Sequence, residues 1–492
     1  MNELKIAFVT PEAVPFAKTG GLADVSGVLP SLFAQRGHTV KLILPFHRCI
    51  KDNYPNAERL DVHLNAVVGS KQFDGSLYRL HDRATGLEVY FIENGSFFDR
   101  SELYRDPVTG NDYEDNADRF IFFSQAVLDV FRRLDWAPDI VHVNDWQSAL
   151  VSSFLKTTAG QESLFQKTKT VLTIHNMAYQ GQFPMETGLK LGVDPTLLRA
   201  PGPFEYWGKI NFLKSAILLS DKITTVSPSY AREIQESNEF GMGLEGVLKD
   251  RCDDLVGIIN GVDYSVWSPQ KDTDIPYKYI PANLSGKKRN KLELLHLAGL
   301  PLRVDQPLFG LIGRLDNQKG LDLIASIIDE MMSLDLQMIV LGTGAEEYHM
   351  LFAQTEQRYP DRFKAFLKFD NKLAHLIEAG ADVFLMPSRF EPCGLNQMYS
   401  LKYGTVPIVR KTGGLADTVV DFNEVTLEGT GFVFDEYDSG PLLDAIKRAV
   451  RLYARRKTWH KLVKQGMQKD FSWDNSARQY LELYHAIVHP TT

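Results

Sequence analysis

Read as a pattern of apolar and polar positions, the chain is a succession of short hydrophobic runs separated by longer stretches with helical spacing. Runs at 4–10, 39–44, 87–93, 139–144, 170–175, 222–226 and 255–260 fall in the first half. The second half has runs at 308–314, 337–342, 365–369, 383–387, 406–410 and 431–434. Several are continuous rather than alternating, as expected of parallel strands covered on both faces. Repeated β–α alternation predicts a doubly wound α/β fold, and its recurrence in both halves predicts two Rossmann-like domains. The pattern breaks after 259–263, and a polar, proline-containing stretch follows over 268–281. The expected division is an N-terminal domain at 1–262, a linker or hinge at 263–281 and a C-terminal domain at 282–471. The last segment, 472–492, has the spacing of a helix that could pack back on the N-terminal domain. Residues 100–116, rich in Asp, Asn, Tyr and Gly, predict a long loop, and such loops often carry function.

A length of 492 residues suits two domains. The net charge of −8 argues against a nucleic-acid surface but leaves room for a local basic pocket. Cys49, Cys252 and Cys393 are too few and too scattered for a disulfide framework or a zinc site. No basic-then-apolar leader precedes the first run, and none approaches the ~20 residues of a membrane span. The expectation is a cytoplasmic protein with neither nucleic acid nor membrane as partner.

Candidate chemistry begins with a repeat. Lys18-Thr19-Gly20-Gly21-Leu22-Ala23-Asp24 recurs as Lys411-Thr412-Gly413-Gly414-Leu415-Ala416-Asp417. Each copy follows an apolar run and precedes a helix-compatible stretch. A glycine loop at a helix start points N–H groups at a ligand, and the lysine adds charge, so each copy suits a phosphate. Two copies suggest two related halves facing one cleft. Ligands in such sheets bind at the carboxyl ends of strands. Asp145 and His175 stand at two further strand ends, although Asp145 could instead cap the following helix and a lone His is often structural. Arg314 and Lys319 flank one strand-to-helix turn and suit a diphosphate, unless they are merely solvated cations. In Arg389-Phe390-Glu391-Pro392-Cys393-Gly394-Leu395, Gly394 and Leu395 open a helix and could bind an anion. Glu391 beside them suits sugar hydroxyls. Cys393 is either a reactive thiol of lowered pKa or a small packing residue.

These segments, with His142-Val143-Asn144-Asp145-Trp146-Gln147 and the Gly313–Gly320 turn, resemble bacterial glycogen synthases and plant starch synthases. Those are retaining glucosyltransferases of family 5 with the GT-B fold. The resemblance spans nearly the whole chain. It implies transfer of glucose from ADP-glucose to the non-reducing end of an α-1,4-glucan, with no cofactor and no bound metal. It implies that Lys18, Gly20 and Gly21 lie near the donor phosphates and that Asp145 and His175 contact the sugar. It assigns the diphosphate to Arg314 and Lys319, and the glucose and distal phosphate to Glu391, Cys393, Gly394 and Leu395. Tyr113, in the long loop, matches an acceptor-side tyrosine. Tyr399 stands where many related transferases carry a second glutamate, so ribose recognition must differ. Asn396 replaces a common threonine. The resemblance favours front-face displacement, with the main-chain carbonyl of His175 near the oxocarbenium ion. Rival readings are a UDP-glucose-using synthase, a glucan phosphorylase and an inactive glucan-binding regulator. Oligomeric state, including a homo-oligomer, is open.

Overall fold

The computed structural model describes residues 2–490. Two compact units are formed. The first holds the chain up to Val226, Ala231–Ile258 and the residues from Trp473 onward; the second holds Ser227–Tyr230 and Ile259–Ser472.

The strands of the first unit are β1 (Lys5–Val9), β2 (Thr39–Pro45), β3 (Glu58–Val68), β4 (Lys71–Asp82), β5 (Leu87–Glu93), β6 (Ile140–Asn144) and β7 (Lys169–Ile174). A small antiparallel sheet follows, made of β8 (Gln182–Pro184), β9 (Glu205–Tyr206) and β10 (Lys209–Asn211). β11 (Lys222–Thr225) and β12 (Leu255–Gly257) complete the main sheet in the order β12-β11-β7-β6-β1-β2-β5-β4-β3. Its centre is parallel, and β6 and β1 are buried almost throughout. β3 and β4 form an antiparallel edge with one wet face, so their sequences are half polar and carry no continuous apolar run. That is why the hydrophobic pattern passes over them.

The second unit carries β13 (Leu308–Ile312), β14 (Gln337–Leu341), β15 (Phe363–Phe366), β16 (Val383–Met386), β17 (Val406–Arg410) and β18 (Phe432–Phe434). They form a parallel sheet in the order β15-β14-β13-β16-β17-β18. Its core joins Phe309, Ile324, Val340, Val383, Ile408, Leu442 and Trp459.

The stretch 263–281 belongs to this unit rather than forming a free tether. Ile275 and Tyr279 are buried in the core, and Trp267 packs against it. The Trp267 ring lies between His375, at 3.8 Å and 13°, and Tyr399, at 4.0 Å and 3°. Asp272 Oδ2 accepts from Tyr403 Oη–H at 2.5 Å and lies 2.8 Å from His375 Nδ1. The segment packs by single side chains, so it shows no period in sequence.

The helix Trp473–Val488 lies in the first unit. Tyr484 packs edge-on to Phe33, with ring centroids 5.6 Å apart, and its hydroxyl lies 2.5 Å from His142 Nδ1 on β6. Residues 491 and 492 of the 472–492 segment lie outside the described residues. No described helix is long and apolar enough to cross a membrane.

Candidate active site

In the first unit, β1, β6 and β7 are neighbours and parallel, so their carboxyl ends lie side by side. That brings the first glycine loop, Asp145 and His175 to one edge. Lys18 pairs with Asp24 at 2.7 Å, and both are partly exposed. Gly20 precedes the helix Gly21–Gln35, whose start no side chain caps. A Cβ built at Gly20 or Gly21 would meet nothing within 4 Å.

Asp145 does not act as a capping residue. It lies inside the helix Asp145–Thr157 with φ +52°, in the left-handed region that non-glycine residues seldom adopt. This turns its carboxylate across to β7, where it accepts the main-chain N–H of His175 at 2.7 Å and that of Asn176. Burial pushes its pKa up to about 8, against these two N–H groups that pull it down. His175 Nε2 lies 3.0 Å from Asn144 Oδ1, whose own Nδ2 donates to Val9 O at 3.1 Å. Burial drives the imidazole pKa down to about 3, so the ring is neutral at physiological pH.

Two groups here have no motif to mark them. Glu12 is buried, and its Oε2 accepts the Thr19 N–H at 2.6 Å and the Thr19 hydroxyl at 2.8 Å. Tyr104 has a buried hydroxyl with no hydrogen-bond partner in the structure, and the carboxylates of Glu12 and Asp145 add to the burial that raises its pKa. A polar residue just past a strand end is the only sequence signal for Glu12, and it is a weak one.

Tyr113 lies in the long loop, as expected, but faces inward on cations. Its ring sits 4.5 Å from the Arg100 guanidinium and 5.1 Å from that of the fully buried Arg119. Arg119 donates to Leu103 O within the loop, to Asn116 Oδ1 at its end and to Phe97 O just before it, which anchors the loop to the helix Asn116–Arg133.

In the second unit, β13, β16 and β17 are neighbours, and their carboxyl ends gather the remaining candidates. Arg314 follows β13, with its guanidinium 3.1 Å from Asp316 and 3.2 Å from Gln318 Oε1. Its side chain is 60% exposed, which leaves it within reach of a ligand. Lys319 turns instead toward β16 and pairs with Glu391 Oε2 at 2.7 Å, where Ser388 Oγ also donates at 2.9 Å. Gly320, at φ +68°, lets this turn pass against Pro387 O, where a Cβ would sit 1.9 Å away. Gly394 has φ +70° and, with Leu395, stands immediately before the helix Asn396–Tyr403. Asn396 ties that helix to β13 by donating to Ile312 O at 2.9 Å.

Cys393 is 5% exposed, and burial pushes its thiol pKa up to about 12. The packing role therefore holds, because burial and the nearby carboxylates outweigh the helix start. Tyr399 stacks on Trp267. Asp272, Asp274 and His375 place ligand-type atoms within 4.8 Å of one another. Asp272 already accepts from Tyr403 and from the Asp274 N–H and faces His375, so the cluster reads as a structural pin.

Comparisons with known proteins converge. Residues 5–250 match the starch synthase catalytic domain family, and residues 296–466 match glycosyl transferases group 1. Glycogen synthases of Geotalea daltonii and Pseudothermotoga lettingae are 44% and 45% identical to this chain, with 99% of each chain covered. That of Thermotoga maritima is 44% identical, with 98% of each covered. Among solved structures, the catalytic domain of starch synthase IV from Arabidopsis thaliana, bound to ADP and acarbose, aligns with a TM-score of 0.88 at 34% identity. That alignment covers 99% of this chain and 100% of the other. Sucrose-phosphate synthase from Thermosynechococcus elongatus shares the fold, with a TM-score of 0.60 at 18% identity.

Proposed function

The chain belongs to the glycogen and starch synthase family of glycosyltransferases, and from that premise we propose that it transfers glucose from ADP-glucose to the non-reducing end of an α-1,4-glucan with retention. The observation that carries the donor assignment is the set of groups at the adjacent ends of β13 and β16, where Arg314, Lys319 and the Gly394 turn converge. Two cations and the amides before a helix suit a diphosphate leaving group. The ADP in the related starch synthase structure supports adenine as the base.

As the C1–O bond to the diphosphate breaks, positive charge grows on the sugar and negative charge on ADP. The acceptor's 4-hydroxyl oxygen bonds to C1 on the same face, and its proton passes to the departing phosphate oxygen. Catalysis then consists of stabilising separated charge. Arg314 and Lys319 take the leaving group without calling on a metal. Glu391 holds Lys319 until the ligand arrives and offers its carboxylate to sugar hydroxyls. In the first unit a neutral His175 cannot supply a cation, so its main-chain carbonyl is the group for the sugar. Asp145 accepts the Asn176 N–H, which belongs to the same peptide unit as that carbonyl. Asp145 thereby sets the carbonyl's direction. Lys18 and the open glycines of the first loop suit a phosphate. Tyr113 is assigned to the acceptor side through the loop that Arg119 ties down.

The test is incorporation of label from ADP-[14C]glucose into glycogen, with UDP-glucose in parallel and the linkage read by NMR. New α-1,4 linkages from ADP-glucose are expected. Preference for UDP-glucose would overturn the donor, and no transfer from either would favour a binding protein.

A further inference from the structure

The first glycine loop has little to hold it in place. Lys18, Thr19, Gly20 and Gly21 are all exposed, and the glycines face open space. No side chain caps the helix that follows. Besides the Lys18–Asp24 pair, the loop is attached by the pair of hydrogen bonds from Thr19 to a single oxygen of Glu12. Glu12 is itself buried and held at its main chain. It is 4% exposed, and its carbonyl accepts from Thr10 Oγ1 at 2.8 Å. Thr10 Oγ1 also lies 2.9 Å from Ser26 Oγ on the helix that follows the loop. Between Glu12 and the loop, Ala17 N–H closes a tight turn on Ala13 O at 2.9 Å. The strand end and the helix thus fix the Glu12 main chain, and its carboxyl oxygen in turn takes both donors of Thr19.

We propose that Glu12 is the positioning residue of the first glycine loop, fixing Thr19 so that Lys18 and the amides of Gly20 and Gly21 are presented to a nucleotide phosphate. The inference rests on the donor reading above. A carboxyl group suits this task because one of its oxygens accepts from both Thr19 donors at once. Burying it beside Asp145 is unfavourable, and that cost is intelligible if the loop must be held rigidly. Lys18 can then exchange Asp24 for a phosphate without the loop itself moving. Glu12 makes no contact with the ligand in this scheme, and its effect passes wholly through Thr19.

The test uses the full chain and four variants, Glu12→Ala, Glu12→Gln, Thr19→Val and Glu12→Ala/Thr19→Val. Affinity for ADP is measured by calorimetry, and KM values for ADP-glucose and glycogen by kinetics. Glu12→Ala should raise both Kd for ADP and KM for ADP-glucose about tenfold, with KM for glycogen within about twofold of the parent. Glu12→Gln keeps an acceptor for the Thr19 N–H and should recover most of the loss. Thr19→Val should cost about threefold. The double variant should be no worse than Glu12→Ala, since the two residues act as one unit. If Glu12→Gln and Glu12→Ala both keep parental ADP affinity, or if the ADP and glycogen constants shift together, the proposal fails. A parent that binds ADP but transfers no glucose sinks the functional reading and leaves the ADP arm decisive. A parent that binds no ADP overturns both.

Discussion

The two copies of Lys-Thr-Gly-Gly-Leu-Ala-Asp share every residue and both follow a parallel strand, yet their surroundings give them opposite tasks. The first opens a 15-residue helix and lies at the surface, with room beside both glycines. The second opens a six-residue helix, Gly413–Thr418, and is packed from Thr412 to Leu415. Gly413 has φ +45°, and a Cβ there would lie 2.0 Å from Glu391 O; one at Gly414 would lie 2.1 Å from Cys393 O. The Gly414 N–H donates to Glu391 O at 3.1 Å and Pro392 O at 3.2 Å. The second loop is thus the bed on which the 391–394 turn rests. The acids diverge too. Asp24 returns to its own Lys18, whereas Asp417 accepts from the Ser229 N–H and hydroxyl, and Lys411 faces Asp435 at 3.3 Å. What stands opposite a glycine loop decides its use, and seven identical residues cannot reveal it.

Glycine substitutions should separate the loops most widely. Gly414→Ala should destabilise the protein by about 3 kcal/mol or more, because a methyl group must displace main chain, and should abolish transfer. Gly20→Ala and Gly21→Ala should stay within about 1 kcal/mol of the parent in stability while weakening donor use. Denaturant unfolding alongside KM for ADP-glucose checks both, and equal destabilisation of the two loops would break the comparison. The lysines come next. Lys18→Ala should lower kcat/KM for ADP-glucose about 100-fold, near 2.7 kcal/mol, and Lys411→Ala only about tenfold, near 1.4 kcal/mol. A larger loss at Lys411 would show the roles reversed.

A titration of stability sharpens the contrast further. Burial raises the Glu12 pKa from 4.5 to about 7. Between those values the folded protein holds more protons than the unfolded chain, so this group's contribution to stability declines as pH rises through the window and is constant above it. Glu12→Gln removes that decline and should be more stable than the parent at pH 8 by about 3 kcal/mol, with no gain at pH 4. Melting curves at the two pH values decide it. The smallest effect concerns the second loop's neighbour. Cys393, buried with its thiol held near 12, should be alkylated at pH 8 at least about tenfold more slowly than exposed Cys252. Peptide mapping after iodoacetamide reads the ratio.

Much of this was legible in the sequence, for physical reasons. Buried parallel strands are continuous apolar runs, and ligands of such sheets bind at their carboxyl ends, so Asp145, His175, Arg314 and Lys319 could be picked out as candidates by position alone. What remained hidden depends on partners distant in sequence. Nothing local says that Asp145 reaches over to the His175 amide 30 residues on. Nothing local says that Lys319 meets Glu391, 72 residues on, and although Glu12 and Thr19 are only seven residues apart, no motif or period links them. The thiol of Cys393 was ambiguous because a helix start and burial act in opposite directions, and only the structure shows which is larger. Residues 263–281 look like a linker or hinge in sequence because irregular chain leaves no period even when Trp267, Ile275 and Tyr279 pack into or against a core.

The placement of the helix Trp473–Val488 has a consequence for synthesis on the ribosome. Trp473, Tyr480 and Tyr484 are buried in the same cluster as Phe8, Phe33 and Leu42, and Tyr484 bonds to His142 in the middle of the first sheet. The second unit, although translated later than that sheet, is finished at Ser472. Domains usually fold in the order of their translation, but here the unit whose strands emerge first must wait for the last. Until residue 484 has left the exit tunnel, the aromatic surface around His142 has no cover, and the nascent chain is open to chaperones there after its second unit is complete.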